Sequence, residues 1–501
     1  MQQISLTGNA IKNIAMFGEK LPLPIYFITA VSIISGFSLA AYFNVEMYFG
    51  LAVIGVALLW IMIHYPKVWI YCVVIGCVLF FEEDEKGISA VDVFASVLFC
   101  LFLIIWFINK IFVKVEKKFT TNNGQSTLKT TILSEKLFLL FFFFLLFNCV
   151  IAVANGIPFI EWIKEFMFYI IMLYYFPVRD YFNDKKSIII LLLIFACVAI
   201  RFDIRQIIMF AKLLGNVKMA WEIGLTEWKI NHEFYSAVIL IGTTIFLFMK
   251  NKIGQIFTYF IVLLTTFTLI STFARAYMLA VVFLMLVLCV YLRPKQFLQL
   301  LAVIILTFAT FFIALEIYFP AQSKMVQQFV INKIETSTQG KKDQSVDSRF
   351  REYQEVAKEI YQAPIHGHGL RKEFSFYFAV KGYNERKSFI HNGYLDAIHK
   401  TGIPMALLFY TVMILFNIRG YIVAWKLKRY CAKNRINKRD QLHFWTALVI
   451  GSSLTITMLF IANMVTSSFT VRSSLIVVAF SLAFVSIAEK KYNIAINSNK
   501  F

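Results

Sequence analysis

His391, Arg275 and Arg349 carry the side chains in this sequence best suited to chemistry where polar segments meet apolar blocks. A neutral imidazole takes a proton from a hydroxyl near neutral pH, so His391 is a candidate general base. A guanidinium stays protonated and grips anionic oxygens through two parallel N–H donors, so Arg275 and Arg349 are candidates for holding phosphate. Each has a plainer reading beside it: a histidine satisfied by backbone contacts, a snorkelling cation, a solvated helix charge. Asn392 could orient an acceptor or cap the helix that follows, and capping is the more ordinary role. Arg201 and Arg205 flank Asp203, and His232 stands in Asn231-His232-Glu233. Boundary charges of this kind are expensive and tend to serve a site, although an Arg/Asp pair that only anchors a helix is equally consistent. His366-Gly367-His368 and His399 raise zinc, but the adjacent glycines and the lack of a ligand pair on one helix face argue against it, so neither metal nor cofactor is expected. No P-loop, G-x-S-x-G motif or internal repeat is apparent.

Lipid must be the solvent that positions these residues. Of 501 residues, 59% are hydrophobic and only 16% charged, and Phe alone occurs 54 times, which excludes an ordinary soluble domain. A bilayer crossing takes roughly 20 apolar residues. On that ruler spans are predicted near 22–43, 46–65, 68–81, 91–113, 137–155, 162–178, 187–200, 234–249, 254–273, 276–292, 297–319, 403–424, 443–465 and 470–488. The expected fold class is all-α, a polytopic integral membrane protein of about 12–14 transmembrane helices with one long external loop containing short helices. Three segments follow: a helical bundle over 1–319, the loop over 320–402, and C-terminal helices with a cytosolic tail over 403–501. The polar first 20 residues and the length of the first apolar block argue against a cleavable signal peptide. The cysteines lie mostly inside apolar blocks, which suggests no disulfide framework.

Lys and Arg outnumber Asp and Glu by 49 to 29, a surplus that belongs in cytosolic loops and calls for no nucleic acid. With the N-terminus inside, alternate loops carry Lys67, the Lys110–Lys118 run, Arg179/Lys185/Lys186, Lys250/Lys252, Arg293/Lys295, the eight cations from Arg419 to Arg439, and Lys490/Lys491. The other loops hold Glu82-Glu83-Asp84-Glu85, Asn155-Gly156-Ile157-Pro158, residues 201–233, a tight turn at Phe273, and 320–402. Both termini are thereby expected in the cytosol.

The long loop has helical periodicity of its own. Phe350, Tyr353, Val356, Ala357, Ile360 and Tyr361 recur on one face, with Arg351, Glu352, Glu355, Lys358 and Glu359 on the other, predicting an amphipathic helix from Asp347 to Tyr361, capped by Asp347 and stopped by Pro364. A turn at His366–Leu370 follows, then a short helix after Asn392 that ends at Gly402. Aromatic residues at the loop edges, Trp221, Trp228, Phe376, Tyr377 and Tyr383, suit either sugar stacking or an interfacial belt, and Phe141 to Phe144 read as lipid-facing bulk.

The order Arg349, Tyr353, Pro364, Gly367, Gly369, then His391-Asn392, then Gly402 followed by Pro404 resembles the external catalytic loop of the O-antigen ligase and Wzy-type O-antigen polymerase superfamily. There a His followed by Asn, Ser or Gln precedes a Gly after nine intervening residues, here 393 to 401. The ligase version continues with Gly, Thr or Tyr three residues on, where this chain has Met405. Ser271-Thr272-Phe273-Ala274-Arg275 is similar to the family's Thr/Ser-x-Ser-Arg turn, with Ala274 in place of the second Ser. The resemblance covers roughly 250 to 425. It implies a metal-independent glycosyltransferase of the bacterial inner membrane that moves a glycan from undecaprenyl diphosphate to an acceptor sugar hydroxyl at the outer face. In that reading His391 is the base and Arg275 and Arg349 bind the diphosphate; Asn392 is a candidate to orient the acceptor, and the boundary residues Arg201, Arg205 and His232 are candidates for the acceptor, sugar or diphosphate. The partners implied are the lipid-linked glycan donor, a glycan or lipid A-core acceptor, membrane lipids and a chain-length regulator protein. Met405 favours a polysaccharide polymerase over a ligase. A lipid-linked oligosaccharide flippase or other transporter is the alternative class, expected to place its charges at mid-membrane instead of in one outer loop.

Overall fold

The computed structural model describes residues 46–79, 90–120, 133–216, 232–249, 251–338, 344–378, 383–433, 439–469 and 472–498. The expected first span, the acidic turn at 82–85, and Trp221 and Trp228 lie outside these residues. The helices are α1 (Glu46–His64), α2 (Pro66–Leu79), α3 (Ala90–Thr120), α4 (Leu133–Ala154), α5 (Phe159–Met172), α6 (Tyr175–Tyr181), α7 (Lys185–Asn216), α8 (His232–Phe248), α9 (Lys252–Ser271), α10 (Arg275–Cys289), α11 (Pro294–Tyr318), α12 (Pro320–Thr338) and α13 (Gln344–Gln362). A hairpin of β1 (Phe374–Phe378) and β2 (Tyr383–Lys387) follows, then α14 (Gly393–Thr401), α15 (Ile403–Lys433), α16 (Arg439–Ala462) and α17 (Arg472–Ser498). The chain is an all-α polytopic membrane protein apart from that hairpin. Among the described residues six helices are long and apolar enough to cross a bilayer, and α1 with α2, bent by 118° where Pro66 opens the second helix, make a seventh if they form one broken span. Ser96–Ile111, α8 and α10 are shorter apolar helices.

The centre of the bundle is α16, where 83% of the apolar window is buried, against 28–44% in the other spans. Small residues make this packing close: a Cβ at Gly451 would stand 2.8 Å from the Ile241 Cα, so only glycine lets α8 and α16 approach this far. The predicted run Phe141 to Phe144 divides by helix geometry. Phe141 and Phe142 face the core against Phe409 and Phe138, whereas Phe143 and Phe144 face out.

Loops assigned to one side by their charges do meet. Lys67 Nζ binds Asp184 at 2.6 Å, Arg179 binds Glu135 at 2.7 Å, Lys490 Nζ donates to Asn183 at 2.9 Å, and Lys110 pairs with Asp180. This is the basic edge of the bundle. From it the 22-residue α4 rises roughly 33 Å, about one hydrocarbon thickness, to Asn155, whose Nδ2 donates to the His368 carbonyl at 3.0 Å. The long loop therefore caps the opposite edge.

One prediction fails clearly at α7. The span expected at 187–200 with a loop at 201–233 is a continuous helix to Asn216. Arg201 and Arg205 fall one turn apart on its exposed face, while Phe202, Asp203 and Gln206 turn inward and Asp203 accepts from Thr265 Oγ1 at 2.8 Å. Exposed charges lower the mean hydropathy of a helix whose other face stays buried, without ending it. At the C-terminus α17 likewise runs on to Ser498, past the expected end at 488.

Candidate functional site

The amphipathic helix of the loop begins at Gln344, three residues before the expected cap, so Asp347 lies inside its first turn and binds Arg351 at 2.9 Å. Tyr353, Val356 and Ile360 pack with Phe374, Phe376, Ile390 and Leu395 into a small core separate from the bundle, as their spacing predicts, whereas Phe350 and Tyr361 stay exposed. The hairpin is an element the sequence reading missed. Phe374 and Phe376 alternate inward against Lys387 and Glu385 of the partner strand, so Phe376 is core, while Tyr377 and Tyr383 are about half exposed.

Glu352, placed by its periodicity on the polar face, is only 1% exposed and holds the site together. It sits one turn before Val356, on the buried stripe. One carboxylate oxygen accepts the His391 backbone N–H and the other meets the ring Nδ1, each at 2.7 Å. A carboxylate can only accept, so Nδ1 carries the proton of the neutral ring and Nε2 is left with its lone pair. The His391 side chain is 30% exposed, open to a reactant. Tyr353 Oη donates to the His391 carbonyl at 3.3 Å. Asn392 caps α14, accepting from Tyr394 N and Leu395 N at 3.0 and 3.2 Å.

The turn after α16 seats this histidine. Gly393 N donates to the Asn463 carbonyl at 2.8 Å, Asn463 Nδ2 donates to Tyr410 Oη at 2.9 Å, and Ser467 Oγ donates to the Ile390 carbonyl at 2.7 Å. Beneath it Lys400, 5% exposed, binds Glu165 at 2.8 Å and Asp396 at 2.9 Å. Asn148 of α4 bonds both sides of the loop, the Lys400 carbonyl and Leu370 N, at 2.9 Å each. The predicted glycine turn fits here because Gly369 has φ +98° and a Cβ on it would meet Ala152 Cα at 2.5 Å.

A second acid–histidine pair repeats the first. Glu359 Oε2 lies 2.7 Å from His399 Nε2, and His368 Nε2 lies 2.9 Å from the Glu359 carbonyl. Ligand atoms of Glu359, His368 and His399 fall within 4.8 Å of one another, a grouping the sequence had argued against. His399 is fully buried and its Nδ1 has no hydrogen-bond partner among the described residues. A metal on Nε2 would turn that nitrogen into an unpaired buried N–H donor, so the arrangement fits a hydrogen-bonded pair better than a metal centre. Burial holds the His399 imidazole below its usual range against the opposing pull of Glu359. Burial raises the Glu359 carboxyl, but His399, His368 and Lys372 more than offset it and leave it lowered.

The expected site residues come together in part. Arg349 lies one turn before Tyr353, close enough for its charge to oppose the burial that raises the Tyr353 hydroxyl, which places it beside the His391 loop. Arg275 is the first residue of α10, following a turn in which Phe273 has φ +53° and Thr272 Oγ1 accepts from Ala274 N at 3.2 Å. Two residues on, Tyr277 Oη contacts Thr466 and Ser468 at 2.9 and 3.0 Å and pairs with buried Glu233, and Ser467 between them binds the Ile390 carbonyl. The 466–468 turn thus joins the Arg275 turn to the His391 loop. His232 joins as well, its ring stacked 5.0 Å from that of Tyr277. Arg201 and Arg205 remain on the outer face of α7, with Arg201 5.9 Å from the Phe202 ring and Arg205 near enough to Tyr235 of α8 for its charge to be felt there. Sequence reasoning missed Glu352, Tyr277 and the Asn463–Ser468 turn. For Glu352 the one signal available was its place four residues before Val356; the other two carried none in their local pattern.

Fold and site define a polytopic helical membrane protein with a histidine loop folded over one edge. Residues 260–410, from α9 through the loop into α15, match the model of the O-antigen ligase family. No curated protein matches the chain.

Proposed function

We propose that this chain is an undecaprenyl-diphosphate-dependent glycosyltransferase of the bacterial inner membrane, with both termini cytosolic and the 320–402 loop at the outer face. The observation that carries this is the buried Glu352 locking the ring of a partly exposed His391 at the membrane edge. The acceptor hydroxyl oxygen attacks the anomeric carbon of the donor glycan, and its proton passes to His391 Nε2. The bond from that carbon to the diphosphate oxygen breaks, and the leaving diphosphate takes the electron pair. Arg349 and Arg275, the latter at a helix N-terminus, would meet its charge. Neither step calls for a metal.

A polysaccharide polymerase is the first reading, because Met405 stands where the ligase pattern has Gly, Thr or Tyr. The description of the matched family favours the second, an O-antigen ligase that transfers to lipid A-core. The surface glycan of a deletion strain separates them. Lipid A carrying single repeat units indicates a lost polymerase, lipid-linked polymer beside a bare core indicates a lost ligase, and unchanged surface glycan contradicts both.

A further inference from the structure

At the basic edge, away from the His391 loop, Tyr291, Arg293, Gln296, Lys428 and His443 help line a pocket of about 230 Å³ between α8, α10, α11, α15 and α16. Three of these side chains can be cationic, and among the described residues no carboxylate lines the cavity. Its walls are fixed: Lys428 Nζ donates to the Val290 carbonyl at 3.1 Å and lies 5.8 Å from the Tyr291 ring, and Gln296 Nε2 donates to the Leu247 carbonyl at 2.7 Å. Among the described residues that leaves two of the three Lys428 donors for an occupant. Ile403, at the other end of α15, binds the Pro364 carbonyl beneath the loop, and from there to Lys428 the helix rises roughly 38 Å, so pocket and loop stand at opposite membrane faces.

Val290, bound through its carbonyl by Lys428, begins a lipid-facing stripe beside the pocket. Leu279, Val282, Phe283, Leu286 and Val290 recur at helical spacing along α10 and are each at least half exposed. From Val290, whose carbonyl Lys428 holds, back to Leu279 is roughly 17 Å, close to the depth of one hydrocarbon leaflet. A free phosphate would use the pocket alone. A phospholipid would use both, with its headgroup against Arg293 and Lys428 and an acyl chain along the stripe.

We propose that this pocket binds the headgroup phosphate of an anionic phospholipid from the leaflet at the basic edge. This stands apart from the glycosyl-transfer reading and from every residue assigned to it. The test is native mass spectrometry of the full-length protein in detergent micelles titrated with phosphatidylglycerol, phosphatidylcholine or inorganic phosphate. The wild type should retain phosphatidylglycerol in preference to phosphatidylcholine, and inorganic phosphate should not displace it. Loss of two cations in R293Q/K428Q should weaken retention roughly 30-fold, whereas Lys428→Arg keeps the charge and should retain the lipid. Equal retention by R293Q/K428Q and wild type, or equal retention of the two lipids by the wild type alone, overturns the proposal. Displacement by inorganic phosphate overturns the lipid assignment in favour of a soluble anion.

Discussion

Glu352 binds His391 twice, through the backbone N–H and through ring Nδ1, each at 2.7 Å. Seven residues along the same helix face, Glu359 meets His399 at 2.7 Å. Two helices, one carrying the acids and the other following the first histidine, are thus stapled at both ends. The pairs differ in exposure: the His391 side chain is 30% exposed and that of His399 is fully buried. Geometry of this kind gives the first histidine an open nitrogen and the second a structural role.

Glu352→Gln should therefore lower turnover about 10²-fold or more, as when an orienting carboxylate is lost behind a catalytic histidine. An amide offers one acceptor where the native residue offers two, so either the backbone or the ring N–H of His391 is left without a partner. The donor KM should change little. Wild-type turnover in this variant would remove Glu352 from the orienting role.

The helices, the basic edge, the α14 cap and the glycine turn were legible in the sequence because each rests on local pattern: apolar length, charge alternation, Asn392 before a short periodic run, Gly367 and Gly369 beside Pro364. The partners of the site were not. Glu352 looks like any helix acid until the hairpin folds over its face. The seating of Ile390 and Gly393 by Ser467 and Asn463 joins residues more than seventy positions apart for one pair and close to that for the other, which no local period reveals. At Arg201 the hydropathy ruler ended a helix that its inward face, Phe202, Gln206 and Phe210, continues.

Acid should loosen the second staple. The His399 imidazole is held below its ordinary 6.5, so the folded loop favours the neutral ring, and that stability is lost as pH falls below 6.5. The Glu359 carboxyl is also held low, from an ordinary 4.5, and its contribution is lost further down as it protonates. Hydrogen exchange at residues 393–402, corrected for the intrinsic pH dependence, should show protection falling over the window that opens as pH drops below 6.5. Constant protection through that window would contradict a buried neutral ring at His399.

Gly393→Ala should disrupt the seat of His391, because its Cβ would stand 2.5 Å from the Asn463 Cγ. Overpacking of this kind costs about 1–3 kcal/mol. Asn463→Ala in the same chain should relieve part of the loss, so the pair should couple in a double-mutant cycle. Additive effects on thermal stability would show that the contact does not set the turn.

Arg275→Lys retains charge but replaces a planar fork with a point donor. If this residue grips the diphosphate, transfer should fall about tenfold or more at matched protein level, the worth of one charge-assisted hydrogen bond. Unchanged transfer would return Arg275 to the role of an interfacial cation.

The most direct measurement is the turnover of purified His391→Ala with a lipid-diphosphate glycan donor and a sugar acceptor, with donor binding measured in parallel. A positioned general base contributes roughly 10²–10⁴ in rate. The variant should bind donor as the wild type does and lose turnover by that factor. Retention of more than about a tenth of wild-type turnover, well above the lower end of that range, would contradict His391 as the base.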